Sequence, residues 1–225
     1  MLAARHLLDL LAPPRCLACR ARGRSPWCAA CATEVRPAPR GCARCGAPRG
    51  TAHRCWVAEA PITSTELAYD YRGTLARGLA TAKLTGAHAA WPALVAPLSE
   101  RLIERPPGVD VVTWVTTPAD RVRARGVDHA ERIARLVAAA LDLPAVALLD
   151  ARAGPDGCDR YRARTTLPGT EVLLVDDILT TGATAWRVAT ALRAAGSGRV
   201  GLAVLARAGS HALGPGAVGG RAFGG

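Results

Sequence analysis

Val172-Leu173-Leu174-Val175-Asp176-Asp177-Ile178-Leu179-Thr180-Thr181-Gly182-Ala183-Thr184 sets two carboxylates just past an apolar run and follows them with a hydroxyl- and glycine-rich turn that opens a helix. The apolar run reads as a buried parallel strand. Such a turn can direct several backbone N–H groups and three threonine hydroxyls toward one point, with a helix N-terminus behind them, which suits a phosphate dianion. Gly182 lets the backbone approach closely. Carboxylates beside a phosphate repel it unless something neutral or cationic lies between. Ribose hydroxyls can fill that role, donating to Asp176 and Asp177 while a 5′-phosphate sits in the turn. The plainer alternative is an N-capped helix after a hydrophobic strand, with the Asp pair solvated. A Walker-type nucleotide site is excluded, because the chain has a single lysine, Lys83, and no G-x-x-x-x-G-K-[ST] loop.

Outward from this segment, strand and helix patterns alternate. Residues 66–71 read as a strand and 73–84 as a helix with Leu75, Leu79 and Leu84 on one side. A second helical pattern runs over 89–105 and stops at Pro106-Pro107-Gly108. Residues 109–115 are apolar on both faces, as a buried parallel strand requires. Residues 128–141 have helical spacing, with Ile133, Leu136, Val137 and Leu141 on one stripe. Short strands are expected at 146–149 and 172–175, a helix at 184–195 and a last strand at 200–205. The order predicts an α/β fold built on a mostly parallel open sheet, with ligands at the carboxyl ends of its strands.

The chain has 225 residues, half of them hydrophobic, and 29 Lys+Arg against 18 Asp+Glu give a net charge of +11. Collagen-like, mucin-like and wholly disordered classes are excluded, and no apolar run reaches the roughly 18 residues of a membrane span. In the opening segment, Asp9 interrupts the leucines and Pro13-Pro14 ends them without a small-residue cleavage site. It reads as an amphipathic surface helix, not an export signal, so a cytoplasmic protein is expected. The positive charge is almost all arginine, whose planar fork suits phosphates; solvated surface arginines are the plain alternative.

Seven of the eight cysteines fall between Cys16 and Cys55, in the order Cys16-x-x-Cys19, Cys28-x-x-Cys31, Cys42-x-x-Cys45 and His53-x-Cys55. Two thiolates three positions apart in a tight knuckle can occupy neighbouring corners of a zinc tetrahedron, and three such pairs in a short span are a strong metal signature. A disulfide scaffold fits less well, with an odd cysteine count and no export signal. Two zinc ions need eight ligands, and His53 is the candidate eighth, a solvated histidine being the alternative. Sequential pairing puts Cys16, Cys19, Cys28 and Cys31 on one ion and Cys42, Cys45, His53 and Cys55 on the other; an interleaved cross-brace stays open. Trp27, Val35 and Trp56 are the module's largest apolar anchors. Metal binding would supply folding free energy that so small a core cannot. The eighth cysteine, Cys158, reads as an ordinary small residue. The expected division is 1–57 for the N-terminal segment and metal module, 58–208 for the α/β domain and 209–225 for a Gly-rich disordered tail.

The segment 172–184 resembles the phosphoribosyl pyrophosphate loop of type I phosphoribosyltransferases. With the cysteine module in front, the chain resembles the ComF family, in which a double zinc ribbon precedes a phosphoribosyltransferase-like domain. Residues 8–19, 69–83 and Pro118 through Arg121-x-Arg123-x-Arg125-Gly126 are further pieces of that likeness. It implies that Asp176 and Asp177 bind the ribose diol, that Thr180, Thr181, Gly182, Ala183 and Thr184 hold the 5′-phosphate, and that Thr116, Thr117, Pro118, Arg121 and Arg125 meet the pyrophosphate with Mg²⁺. It also implies a link to DNA uptake in natural transformation, with single-stranded DNA and a helicase-like protein as partners. Lys83 lies where the family tends to carry a basic residue, a surface lysine being the simpler view. Two departures stand out. Arg125-Gly126 is followed by Val127-Asp128-His129 where the family commonly has Phe-Asn-Gln, and residues 150–171 form a short, arginine-rich stretch with Arg152, Arg160, Arg162 and Arg164. A shortened cover excludes water poorly, so ligand binding is a safer expectation than turnover.

Overall fold

Val200 to Arg207 is apolar at every position but the last, and all eight residues are buried, which only a central strand covered on both faces allows. The computed structural model describes residues 15–22, 26–42, 44–47, 61–154 and 159–208; the expectations for residues 1–14, His53, Cys55, Trp56, Cys158 and the tail from 209 lie outside them. Along the described chain come α1 (Ala29–Glu34), β1 (Ile62–Asp70), α2 (Gly73–Thr85), a 3-10 turn (His88–Ala90) and α3 (Trp91–Glu104). These are followed by β2 (Val111–Trp114), α4 (Ala119–Arg125), α5 (His129–Leu141), β3 (Leu149–Ala153), β4 (Asp159–Ala163), β5 (Val172–Leu179), α6 (Ala183–Ala194) and β6 (Val200–Arg207).

The main sheet is entirely parallel, in the order β1-β6-β5-β2. Its two faces carry separate cores. Leu75 and Leu79 of α2, Leu94, Leu98 and Leu102 of α3, and Ile133 and Val137 of α5 pack on one side. Val188, Ala189 and Leu192 of α6 pack on the other, together with Leu149, Leu167 and Leu174. Helices on both faces explain why the strands read as continuous apolar runs and not as alternation.

The expected strand at 146–149 is corrected. A single parallel bridge joins Ala145 to Val112, with Val146 N–H donating to Val112 at 2.9 Å, and Leu149 already begins β3. The arginine-rich stretch is an antiparallel hairpin of β3 and β4, in register from Leu149–Ala163 to Ala153–Asp159. Its alternation of arginines with small residues hid it from an apolar periodicity. The α4 helix went unread as well. β5 runs on through the acidic pair to Leu179, pairing Asp176 with Val204 and Leu179 with Arg207.

The N-terminal module is built into the sheet. Ala38 N–H donates to Ala68 at 2.8 Å and Asp70 N–H to Arg36 at 3.1 Å, an antiparallel cover on the open edge of β1. Trp27 and Val35, expected to anchor the module's own core, pack instead against the face of the sheet covered by α2, α3 and α5, where Leu17 is fully part of the core.

Leu174 has no exposed surface at the centre of β5. Replacing it with alanine is expected to lower unfolding free energy by about 2–5 kcal/mol, the range for buried leucine truncation. Urea unfolding followed by circular dichroism checks this; an unchanged midpoint would contradict the placement of β5.

Candidate functional site

The C-terminal edge of β5 brings the predicted acidic pair and glycine turn together. The Asp177 amide donates to Asp176 Oδ1 at 2.8 Å. Beyond Leu179, Thr180 and Thr181 are exposed and Gly182 is buried, with φ +81° as the residue before α6. That left-handed geometry is why glycine stands there. No side chain caps α6; the Ala183 amide rests on Thr181 Oγ1 at 3.3 Å, and Thr184 is half-buried in the first turn.

Lys83 is not a free surface lysine. Its Nζ lies 2.5 Å from Asp177 Oδ2, with both side chains about three-quarters buried. Burial, reinforced by the Asp177 charge, pushes the Asp176 carboxyl up to about 8, while the Asp177 amide and Lys83 pull the other way. Asp176 therefore keeps its proton into the neutral range, and Lys83 offsets Asp177. His129 stands nearby, stacked on Trp91 with ring centroids 5.4 Å apart. Burial, aided by Lys83, lowers its pKa, so the ring is neutral at physiological pH.

The second predicted loop leaves β2 beside this edge. Thr116 Oγ1 donates to the Leu149 carbonyl at 3.3 Å. The Thr117 amide donates to Asp128 Oδ2 at 2.9 Å, while Asp128 Oδ1 accepts from the Ala130 and Glu131 amides at 3.1 and 3.3 Å. One carboxylate thus caps α5 and holds the loop. The sequence carried a signal for it, since Asp128-x-x-Glu131 has capping-box spacing. Pro118 immediately precedes α4, Arg121 pairs with Asp159 of β4, and the side chain of Arg125 lies outside the described residues.

The hairpin also faces the pair. Burial, with the charges of Asp159 and Asp176, pushes Tyr161 well above the usual tyrosine range, and Arg187 and Arg121 oppose that shift. Tyr161 and Asp159 escaped the sequence reading because a hairpin places them; Arg187 comes from α6.

The first four cysteines form a second constellation. The ligand atoms of Cys16, Cys19, Cys28 and Cys31 all lie within 4.8 Å of one another. Cys19 and Cys28 sulfurs are 3.6 Å apart, near the edge of about 3.8 Å that a tetrahedron with ~2.3 Å Zn–S bonds has and far from the ~2.0 Å of a disulfide. Burial raises Cys16, but amide hydrogen bonds from Cys19, Cys28 and Ala18 outweigh it and bring the thiol down to about 6. Burial and the neighbouring sulfurs push Cys31 up to about 12. Four thiols at one point cannot all ionise without a cation among them, and this donor set fits structural zinc.

Cys42 and Cys45 form a knuckle of the same design. The Cys16 amide donates to Ala21 and its carbonyl accepts from Arg20, whose φ is +66°. The Cys42 amide donates to Ala47 and its carbonyl accepts from Gly46, whose φ is +69°.

Comparisons with known proteins agree with these two units. A double zinc ribbon domain model matches residues 7–58, and a phosphoribosyl transferase domain model matches residues 122–217. The chain thus joins a double zinc ribbon to a phosphoribosyltransferase domain. Its fold is that of the type I enzymes, a parallel sheet with helices on both faces. Among solved structures, the purine phosphoribosyltransferase of Pyrococcus horikoshii Ot3 is similar over 56% of this chain and 78% of its own, at 21% identity and a TM-score of 0.42. The orotate phosphoribosyltransferase of Aeropyrum pernix is similar over 56% and 66%, at 21% identity and a TM-score of 0.36. No curated protein matches the chain by sequence. No helix among the described residues is long and apolar enough to cross a membrane.

The state of Asp176 has a measurable sign. Its pKa is about 8 folded against 3.8 as a free side chain, so the folded protein binds more protons across that window and stability falls as pH rises through it. Thermal unfolding should show Asp176→Asn gaining on wild type steadily from pH 5 to pH 8. Parallel profiles would contradict a proton on Asp176.

Proposed function

We propose that the protein binds phosphoribosyl pyrophosphate at the C-terminal edge of β5 and β2. The 5′-phosphate lies in the turn from Thr180 to Thr184, the ribose diol against Asp176 and Asp177, and the pyrophosphate along Thr116, Thr117, Pro118 and Arg121, with Arg125 beside them. The observation that carries this reading is the continuation of β5 through two adjacent carboxylates into the Gly182 turn and α6, next to a loop that Asp128 pins in place. Asp177, paired with Lys83, accepts from a sugar hydroxyl without adding a full charge beside the phosphates. Arg121 exchanges Asp159 for the pyrophosphate.

Magnesium prefers oxygen donors and keeps part of its water shell; Asp176 and Asp177 offer donors of that kind, and the ion would offset charge on the departing pyrophosphate. The reaction is displacement at the anomeric carbon by an acceptor, with the C1–O bond to pyrophosphate breaking. Its transition state gathers positive charge on the sugar, which the Asp177 carboxylate stabilises, so no protein nucleophile is needed. Tyr161 and the hairpin limit the approach of water from their side.

The combination of units supports membership of the ComF family, and with it a cytoplasmic role linked to DNA uptake beside a helicase-like protein. The division 1–57, 58–208 and 209–225 and a second zinc on Cys42, Cys45, His53 and Cys55 belong to the same reading. A second reading, an adaptor for single-stranded DNA, draws on the hairpin's outer face. Exposed Arg152 and Arg160 lie directly opposite each other beside Arg162, and like charges so placed favour an anion between them.

Calorimetric titration of phosphoribosyl pyrophosphate with Mg²⁺ tests the first reading. Wild type should bind, and Asp176→Asn/Asp177→Asn should weaken binding at least about 10-fold, as loss of one hydrogen bond to the charged Asp177 at ~1.5–3 kcal/mol implies. Absence of binding in wild type, or equal binding in both, would overturn it.

A further inference from the structure

The four-cysteine knuckle is built onto the helix that supplies Lys83. Gly78, midway along α2, faces Trp27 so closely that a methyl group there would overlap the indole ring, and it would also lie 3.4 Å from Leu17 Cβ. Leu17 directly follows Cys16, and Trp27 directly precedes Cys28. One turn earlier on α2, buried Thr74 donates to the carboxylate of Glu34, and Arg77 Nη2 lies 3.9 Å from the same carboxylate. Glu34 closes α1, the short helix that carries Cys31. Residues attached to three of the four thiols therefore grip one face of α2, at Thr74 and Gly78, four positions apart. Lys83 stands in the last turn of that helix, after fully buried Ala82, and reaches Asp177.

We infer that Leu17, Trp27 and Glu34 are positioning residues for Lys83, so that zinc held by Cys16, Cys19, Cys28 and Cys31 and the sugar phosphate held at Asp176 and Asp177 strengthen each other's binding. The ligand half rests on the function proposed above. The knuckle has little apolar surface of its own to bury, so its shape depends on the metal. With the metal bound, the indole fills the space over Gly78 and fixes the rotation and height of α2. Without it, the one face of α2 that lacks a side chain loses its cover, and the lysine is no longer held against Asp177. Linkage between two sites is reciprocal: whatever zinc does for the sugar phosphate, the sugar phosphate does for zinc.

The test uses the full chain loaded with zinc. The equivalent of zinc bound at this site is identified as the one lost in Cys19→Ser. Its transfer to a chromophoric chelator is followed with and without saturating phosphoribosyl pyrophosphate and Mg²⁺. In wild type the ligand should slow or reduce transfer by roughly five-fold or more. In Gly78→Ala, whose added methyl displaces Trp27, zinc content should be unchanged and the ligand effect lost. Trp27→Phe, which keeps an apolar ring but shortens it, should show a reduced effect and serves if Gly78→Ala does not fold. A passive structural contact would alter zinc content or stability without making zinc release respond to the ligand. Ligand binding that leaves zinc transfer unchanged in wild type overturns the linkage alone, as does an undiminished ligand effect in both variants. Absence of ligand binding to wild type overturns the linkage together with the function it rests on.

Discussion

Two carboxylates side by side at the end of a buried parallel strand repel each other, and the C-terminal edge of the sheet is arranged around that repulsion. Neighbouring residues of a strand point to opposite faces, so Asp176 and Asp177 meet different partners. Asp177 takes the chain's only lysine. Asp176 meets no cation at that distance among the described residues and is left holding a proton. A pair kept at less than its full negative charge can tolerate phosphates nearby, whereas a doubly ionised pair would exclude them.

The supporting shell is built from groups that serve two elements at once. Asp128 caps α5 and pins the loop after β2. Arg207, buried at the end of β6, donates to the Gly46 carbonyl of the second knuckle at 2.7 Å while its strand pairs with Leu179. Thr65 of β1 donates to the Arg44 carbonyl at 2.8 Å. The metal module is thus part of the scaffold that fixes the sheet edge, which accounts for its having so little core of its own.

What the sequence disclosed was local. The string from Val172 to Thr184 encodes its own backbone, because an apolar run, a glycine in a left-handed turn and a helix start need no distant partner. The CxxC spacing likewise makes each knuckle by itself. The role of Lys83 was not legible, since helical periodicity reports which face is buried and not which carboxylate lies across from it. Trp27 and Val35 read as anchors of their own module for the same reason: hydrophobicity marks them for burial without naming the surface that buries them. The hairpin of β3 and β4 was obscured because arginines take three of the four outward positions and alanines half of the inward ones. That hairpin supplies Asp159, which pairs with Arg121, and Tyr161, which feels the charge of Asp176.

The proposed function requires the turn before α6 to grip a phosphate through its backbone. A crystal structure of the protein grown with phosphoribosyl pyrophosphate and Mg²⁺ tests it most directly. Phosphate density is expected within hydrogen-bonding distance of the amides of Gly182, Ala183 and Thr184, with the ribose hydroxyls against Asp176 and Asp177. A phosphate bound elsewhere, or an empty turn in a ligand-saturated crystal, would contradict it.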